Sequence, residues 1–140
     1  MKAVLDTDVI VAGMRSATGA SRRLLELLEV GTFESVLSVA LVLEYEAVLK
    51  RPKHQTALGL TVEDIDEFID GILRATVLVV PFYSWRPTLT DPNDEMVLET
   101  AINGGVSVIV TFNTRHLAEA AQRFGIEVLR PGEFLRRIQL

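Results

Sequence analysis

Three carboxylates lie far apart in this chain, each where a fold could aim it at one point. Asp6 ends the apolar run at residues 1–5, Glu44 sits inside the helical pattern at 39–49, and Asp94 opens a second helical pattern at 94–102. An acidic side chain in apolar surroundings is costly unless it is paired or bound to a cation. Three that converge would form a site for a hard divalent metal, and such sites commonly serve phosphate chemistry.

The surroundings of each carboxylate sharpen this reading. Asp6 stands at the end of a strand pattern, with Thr111 and Asn113 in the corresponding place after residues 108–110. Ligands of open parallel sheets bind beyond such strand ends, where the strand order reverses. Asp6 could instead cap the helix that follows, a role open to Asp8 as well. The helix neighbours of Glu44 are Ala40, Leu41, Ala47 and Val48, all apolar, whereas Glu46 has Lys50 four residues on for an ordinary surface pair. Glu44 either faces a cation or snorkels to solvent from the helix edge. Asp94 falls at the third helical position after an Asp91 cap and Pro92, where a carboxylate already suits the helix dipole. Val97 and Leu98 turn it toward the core side. His54 and His116 are the only histidines, and surface or capping roles suit both, although His116 follows a strand end closely enough to touch phosphate or metal.

The elements that must position these groups alternate short apolar runs with amphipathic helices, the pattern of a parallel α/β sheet. Strands are expected at 2–6, 33–38, 76–80, 107–111 and 127–129. Helices are expected near 21–30, 39–50, 62–73, 92–103 and 114–124, with a short last one at 132–138. Gly31 and Gly104-Gly105 supply helix stops, and Thr61 and Asp91 supply caps. Pro81, Tyr83, Trp85 and Pro87 read as a loop before the Asp91 helix. Leu24, Leu25, Leu27 and Leu28 form a wide stripe that suits the core and could also serve a homodimer. The 140 residues read as one domain, 1–140.

With no cysteine, disulfides, thiolate metal sites and cysteine nucleophiles are excluded. No apolar run approaches the about 20 residues of a membrane span, and a cytoplasmic protein is the simplest expectation. The net charge of −5 argues against a broad DNA-coating surface. A local rim of Arg15, Arg22, Arg23, Arg51, Lys53 and Arg115 remains compatible with holding a phosphate backbone.

In order and spacing, these segments resemble the PIN domain family from about Lys2 to Pro131. Val4-Leu5-Asp6-Thr7-Asp8 is similar to its opening strand and acidic motif, and Ser38 with Glu44-Tyr45 to its second motif. Asp91-Pro92-Asn93-Asp94 is similar to the third, and Val108-Ile109-Val110-Thr111-Phe112-Asn113-Thr114-Arg115-His116 to the fourth. The resemblance implies a three-layer α/β/α sandwich with a mostly parallel central sheet. It further implies a Mg²⁺- or Mn²⁺-dependent ribonuclease of the VapC-like toxin type, with RNA as substrate and a small antitoxin protein as partner. Asp6, Glu44 and Asp94 would be the catalytic, metal-binding acids. Thr7, Asp8, Thr111 and Asn113 would support them, and Arg15, Arg22 and Arg115 are candidates for RNA phosphate contacts. Two departures bear on activity. Asp8 stands where the family commonly has Asn, and Asn113 where many members carry a fourth Asp, which implies a weakened second metal site. A PIN-like domain that binds RNA or protein without cutting is therefore the alternative. Asp6-Thr7-Asp8 also resembles the opening of haloacid-dehalogenase-like phosphatases, which need in addition a lysine that Lys50 and Lys53 are poorly placed to supply.

Overall fold

The computed structural model describes residues 1–80 and 91–139, so the expected loop carrying Pro81, Tyr83, Trp85 and Pro87 lies outside the described residues. Five short strands, β1 (Lys2–Leu5), β2 (Glu34–Leu37), β3 (Thr76–Leu78), β4 (Val108–Val110) and β5 (Glu127–Leu129), form one sheet in the order β3-β2-β1-β4-β5. Every pairing is parallel. Helices α1 (Thr7–Arg15), α2 (Ala20–Glu29), α3 (Val39–Leu49), α4 (Pro52–Leu58) and α5 (Val62–Arg74) fall between the first three strands. Helices α6 (Pro92–Gly104) and α7 (Thr114–Gln122) flank β4, and α8 (Pro131–Ile138) closes the chain.

From β1 the chain steps outward to β2 and β3, then returns to the other side of β1 for β4 and β5. Right-handed crossovers taken in opposite directions place their helices on opposite faces of the sheet. Accordingly α1 packs on α2 and α3, α2 on α8, and α3 on α5, while α6 lies over β1, β2 and β4 beside α7. The result is the expected α/β/α sandwich. Its order reverses between β1 and β4, whose carboxyl ends define the crevice.

The central strand is covered on both faces, as parallel sheets require: Ala3, Val4 and Leu5 are all fully buried. Leu24, Leu27 and Leu28 are buried in the core with Leu25 packed against it, so the leucine stripe is used within the domain. Phe33 and Phe134 meet edge to face at 5.2 Å and tie the start of β2 to α8. Thr61 and Asp64 cap α5 reciprocally, and Lys50 pairs with Glu46 at 2.8 Å as its spacing indicated. The helix expected to follow Asp6 is the nine-residue α1, and one helix is additional to those expected: α4, which opens on Pro52 and ends on Gly59 in the left-handed region. Among the described residues no helix is long and apolar enough to cross a membrane.

The close approach of α6 to the sheet depends on Gly104. A methyl group there would stand 2.5 Å from Cγ1 of Val36 on β2, a β-branched side chain with little freedom to yield. Gly104→Ala is therefore expected to lower stability by about 1–2 kcal/mol, overpacking outweighing the helix-propensity gain of alanine. A denaturant midpoint unchanged or raised by the substitution would contradict that close packing.

Candidate functional site

Asp6 follows β1 directly, and its backbone N–H still donates to Val110 O of β4 at 2.9 Å. Its side chain caps α1, accepting the Thr7 N–H on Oδ1 at 2.7 Å. The same Oδ1 accepts Nδ2 of Asn93 at 3.1 Å, and Oδ2 accepts the Thr111 hydroxyl at 2.8 Å. The cap reading of Asp6 is thus borne out, and the same carboxylate stands at the switch point between β1 and β4. Asp8 lies inside the first turn of α1 rather than at its cap. Its Oδ2 accepts the Phe112 N–H at 3.1 Å and faces the Thr111 hydroxyl at 3.3 Å. Thr111, fully buried after β4, also accepts the Asn113 N–H at 3.0 Å. Its hydroxyl is consequently oriented between the two aspartates.

The second wall comes from α3 and α6. Ser38 caps α3 by accepting the Leu41 N–H, and its hydroxyl meets that of Thr100 on α6 at 2.8 Å. This contact sets the helix carrying Glu44 against the helix carrying Asp94. Asp91 caps α6, accepting the Asn93 N–H at 2.8 Å, and Asp94 takes the third helical position. Tyr45, fully buried next to Glu44, donates its hydroxyl to the carbonyl of Leu5 at the end of β1. Its phenol is held well above the usual range by burial, reinforced by Asp6 and Asp8, so it stays protonated as a donor.

Electrostatically these groups crowd one another. Asp6 and Asp94 are each only 3% exposed. Burial, with Asp6 adding to it, pushes the Asp8 carboxyl up to about 6. Asp94 is also raised, by burial first and then by Asp91 and Asp6, with His116 opposing. Acids whose charge is disfavoured by burial and by neighbours of the same sign mark functional sites more often than ordinary surfaces do.

Thr7, Asp8, Glu44, Asp91 and Asn93 line one side of a cleft of about 630 Å³. Arg15, Arg51 and His54 line it as well. Glu44 is half-buried at this wall. His54 is buried rather than superficial, and its imidazole is held below its ordinary range by burial and by Lys53, Arg15 and Arg51. His116 is exposed, its Nδ1 2.9 Å from Nδ2 of Asn113. Arg22 is exposed and donates to the Gly13 carbonyl at 3.5 Å, and Arg115 is exposed on the first turn of α7; neither lines the cleft. Asn93 and Asp91 were not singled out as site residues from the sequence. The signal available was the Asp91 cap itself, which fixes the first turn of α6 next to the strand ends.

Among the described residues, no three histidine, aspartate or glutamate side chains are gathered closely enough to hold a metal ion as they stand. Asp6, Glu44 and Asp94 share one end of the sheet without forming a ready chelate. The donor chemistry nevertheless suits a hard cation. Oδ1 of Asp8, Oδ1 of Asn93 and Oγ1 of Thr7 are buried oxygens without a hydrogen-bond partner among the described residues, and all three residues line the cleft. Unpartnered oxygens beside crowded carboxylates fit a divalent ion that keeps part of its water shell.

A parallel sheet with acidic groups at its switch point defines the class of fold, and the sequence places it further. Residues 2–115 match the PIN domain, and the chain belongs to the PIN domain family. Among solved structures it is similar to VapBC2 from Rickettsia felis bound to a DNA fragment from their promoter. That likeness has a TM-score of 0.61 and 18% identity, covering 93% of this chain and 98% of that one, and it is a likeness of fold. Comparison with curated proteins finds no match. The phosphatase resemblance of Asp6-Thr7-Asp8 gives way to this family match over residues 2–115, and Lys50 is occupied by Glu46 and, at 2.6 Å, by Asp66.

Proposed function

We propose that the protein is a divalent-metal-dependent ribonuclease of the VapC-like toxin type that hydrolyses RNA phosphodiester bonds. The observation that carries this is the crowding of Asp6, Asp8 and Asp94 at the switch point, next to buried cleft oxygens that lack partners among the described residues. Asp6, Glu44 and Asp94 are the acids that would hold Mg²⁺ or Mn²⁺, with Asp8 and Asn93 contributing oxygens and water completing the shell. Such an ion, when bound, acidifies an attacking water and offsets charge on the phosphate. Thr7, Thr111 and Asn113 orient the acids. Thr111 does so by its hydrogen bond to Asp6 and Asn113 by donating its N–H to Thr111. Arg15 and Arg51 face the same cleft and supply positive charge for the substrate backbone, with Arg22 and Arg115 farther out. Single-stranded or looped RNA is the substrate class, since a flexible backbone can enter a narrow acidic cleft.

The protein works in the cytoplasm, with a small antitoxin protein covering the cleft as its partner; the similar fold of VapBC2 supports that pairing. A second reading, a domain that binds RNA or protein without cutting, is favoured by one observation: at the position of a fourth acid, Asn113 spends its amide on His116. The two are separated by incubating purified protein with a mixed RNA pool and Mn²⁺. Cleavage that falls by at least about tenfold in Glu44→Gln supports the nuclease. Bound metal without any cleavage supports the binding domain.

A further inference from the structure

A second cavity, about 460 Å³, opens beside the acidic cleft, and Phe112 and Ala12 line both. Its walls are the N-terminal turn of α2 (Gly19, Ala20, Ser21) and that of α8 (Pro131, Gly132), with Arg130 and Arg136. The ten-residue α2 begins without a side-chain cap and has no acidic residue in its first turn. Its free N–H groups and positive dipole end are therefore uncompensated within the helix. An independent feature points to a ligand: Ser21 is 4% exposed, lines the cavity, and its hydroxyl has no hydrogen-bond partner among the described residues.

Positive charge is gathered at the same place. The Arg130 guanidinium sits 5.9 Å from the centre of the Phe112 ring. Arg136 lies along Gly132, where an added methyl would stand 3.7 Å from its Nη1. Glu133, also on the wall, is turned to its own helix and accepts the Arg130 N–H at 3.1 Å. Two arginines, a helix N-terminus and an unpartnered hydroxyl make a receptor for a phosphate dianion or diester.

We propose that this cavity binds a phosphate of the RNA strand flanking the one held in the acidic cleft, with the exposed Phe112 as the partition between the two. The assignment rests on the ribonuclease reading for its substrate, and it gives the strand a direction across the site, from the acids past Phe112 to the start of α2. A net negative protein thereby holds a polyanion through a local, built receptor.

The test is amide NMR with two probes, inorganic phosphate and uridine 3′,5′-bisphosphate, followed by cleavage kinetics on a short oligoribonucleotide. Both probes should shift Ala20, Ser21, Arg22 and Gly132, and Arg136→Gln or Ser21→Ala should weaken the bisphosphate by about fivefold or more. The same variants should raise KM by a similar factor with kcat within about twofold, because a flanking contact acts alike in ground and transition states. Arg123→Gln, at the far end of α7, should change neither. Unmoved α2 amides, or shifts by inorganic phosphate with KM unaffected in both variants, would overturn the subsite. Should the wild type cut no RNA while uridine bisphosphate still shifts these amides, the anion receptor stands and the ribonuclease reading falls.

Discussion

Asp6→Asn is expected to reduce Mn²⁺-dependent RNA cleavage by about 10²-fold or more while leaving the melting temperature unchanged or slightly higher. The structure separates these two effects. Asparagine is as good a helix cap as aspartate, so α1 keeps its start and the Thr7 N–H keeps an acceptor. Thr111 loses a charged acceptor at Oδ2, but its hydroxyl can turn to Asp8, already 3.3 Å away. Removing the Asp6 charge also relieves Asp8 and Asp94, both of which it pushes up. What disappears is the anionic oxygen at the switch point. Kinetics on an oligoribonucleotide with a thermal melt of the same preparation give both numbers. Retained cleavage would assign the chemistry elsewhere, and loss of cleavage with a collapsed melt would make Asp6 a structural residue.

Asp8→Asn should stabilise the metal-free protein at neutral pH by about 1–2 kcal/mol. The roughly two-unit rise corresponds to about 3 kcal/mol, and water in the cleft screens part of it. The sign follows from proton linkage. Between the ordinary carboxylate value and about 6, folded Asp8 holds a proton that the unfolded chain has released. Its contribution to stability is thus complete below that window, falls as pH rises through it, and is absent above pH 6. Asp64 and Glu127 run the other way: both are lowered, Asp64 by its bonds with Thr61 and Glu127 by Arg137, and each contributes above its unfolded value and is lost in acid. Subtracting the Asp8→Asn curve from that of the wild type, both in chelator, isolates the falling limb. Saturating Mn²⁺ should raise the wild-type melting temperature more at pH 7 than at pH 5, and raise the Asp8→Asn variant less. A pH-independent difference would mean that Asp8 is neither buried nor crowded in solution as the structure has it.

Local rules carried most of the fold. The strand–helix alternation, the Asp91-Pro92 and Thr61 caps and the left-handed Gly31 and Gly105 all act within a few residues, and each is where its spacing placed it. One helix and one side-chain orientation escaped this reading. α4 begins right after α3, with only Lys50 and Arg51 between them, and its seven residues carry too few apolar positions for a clear period. His54 looked superficial because α4 turns it into the cleft, an orientation set by α1 and α3 rather than by its own neighbours in sequence.

The candidate site divides the same way. Which residues are acidic, and that Asp6 and Thr111 end strands, followed from the chain alone, because strand ends are marked by where apolar runs stop. That β1 and β4 are neighbours, bringing Asp6 within 2.8 Å of a hydroxyl 105 residues away, was decided only by sheet order. So were the amide of Asn93 on Asp6, the unpartnered oxygen of Asp8 and the pairing of two helix starts around Ser21. Sequence spacing encodes periodicity along one element, whereas charge crowding and hydrogen-bond partnership depend on distances between elements, which exist only once the sheet has closed on its neighbours.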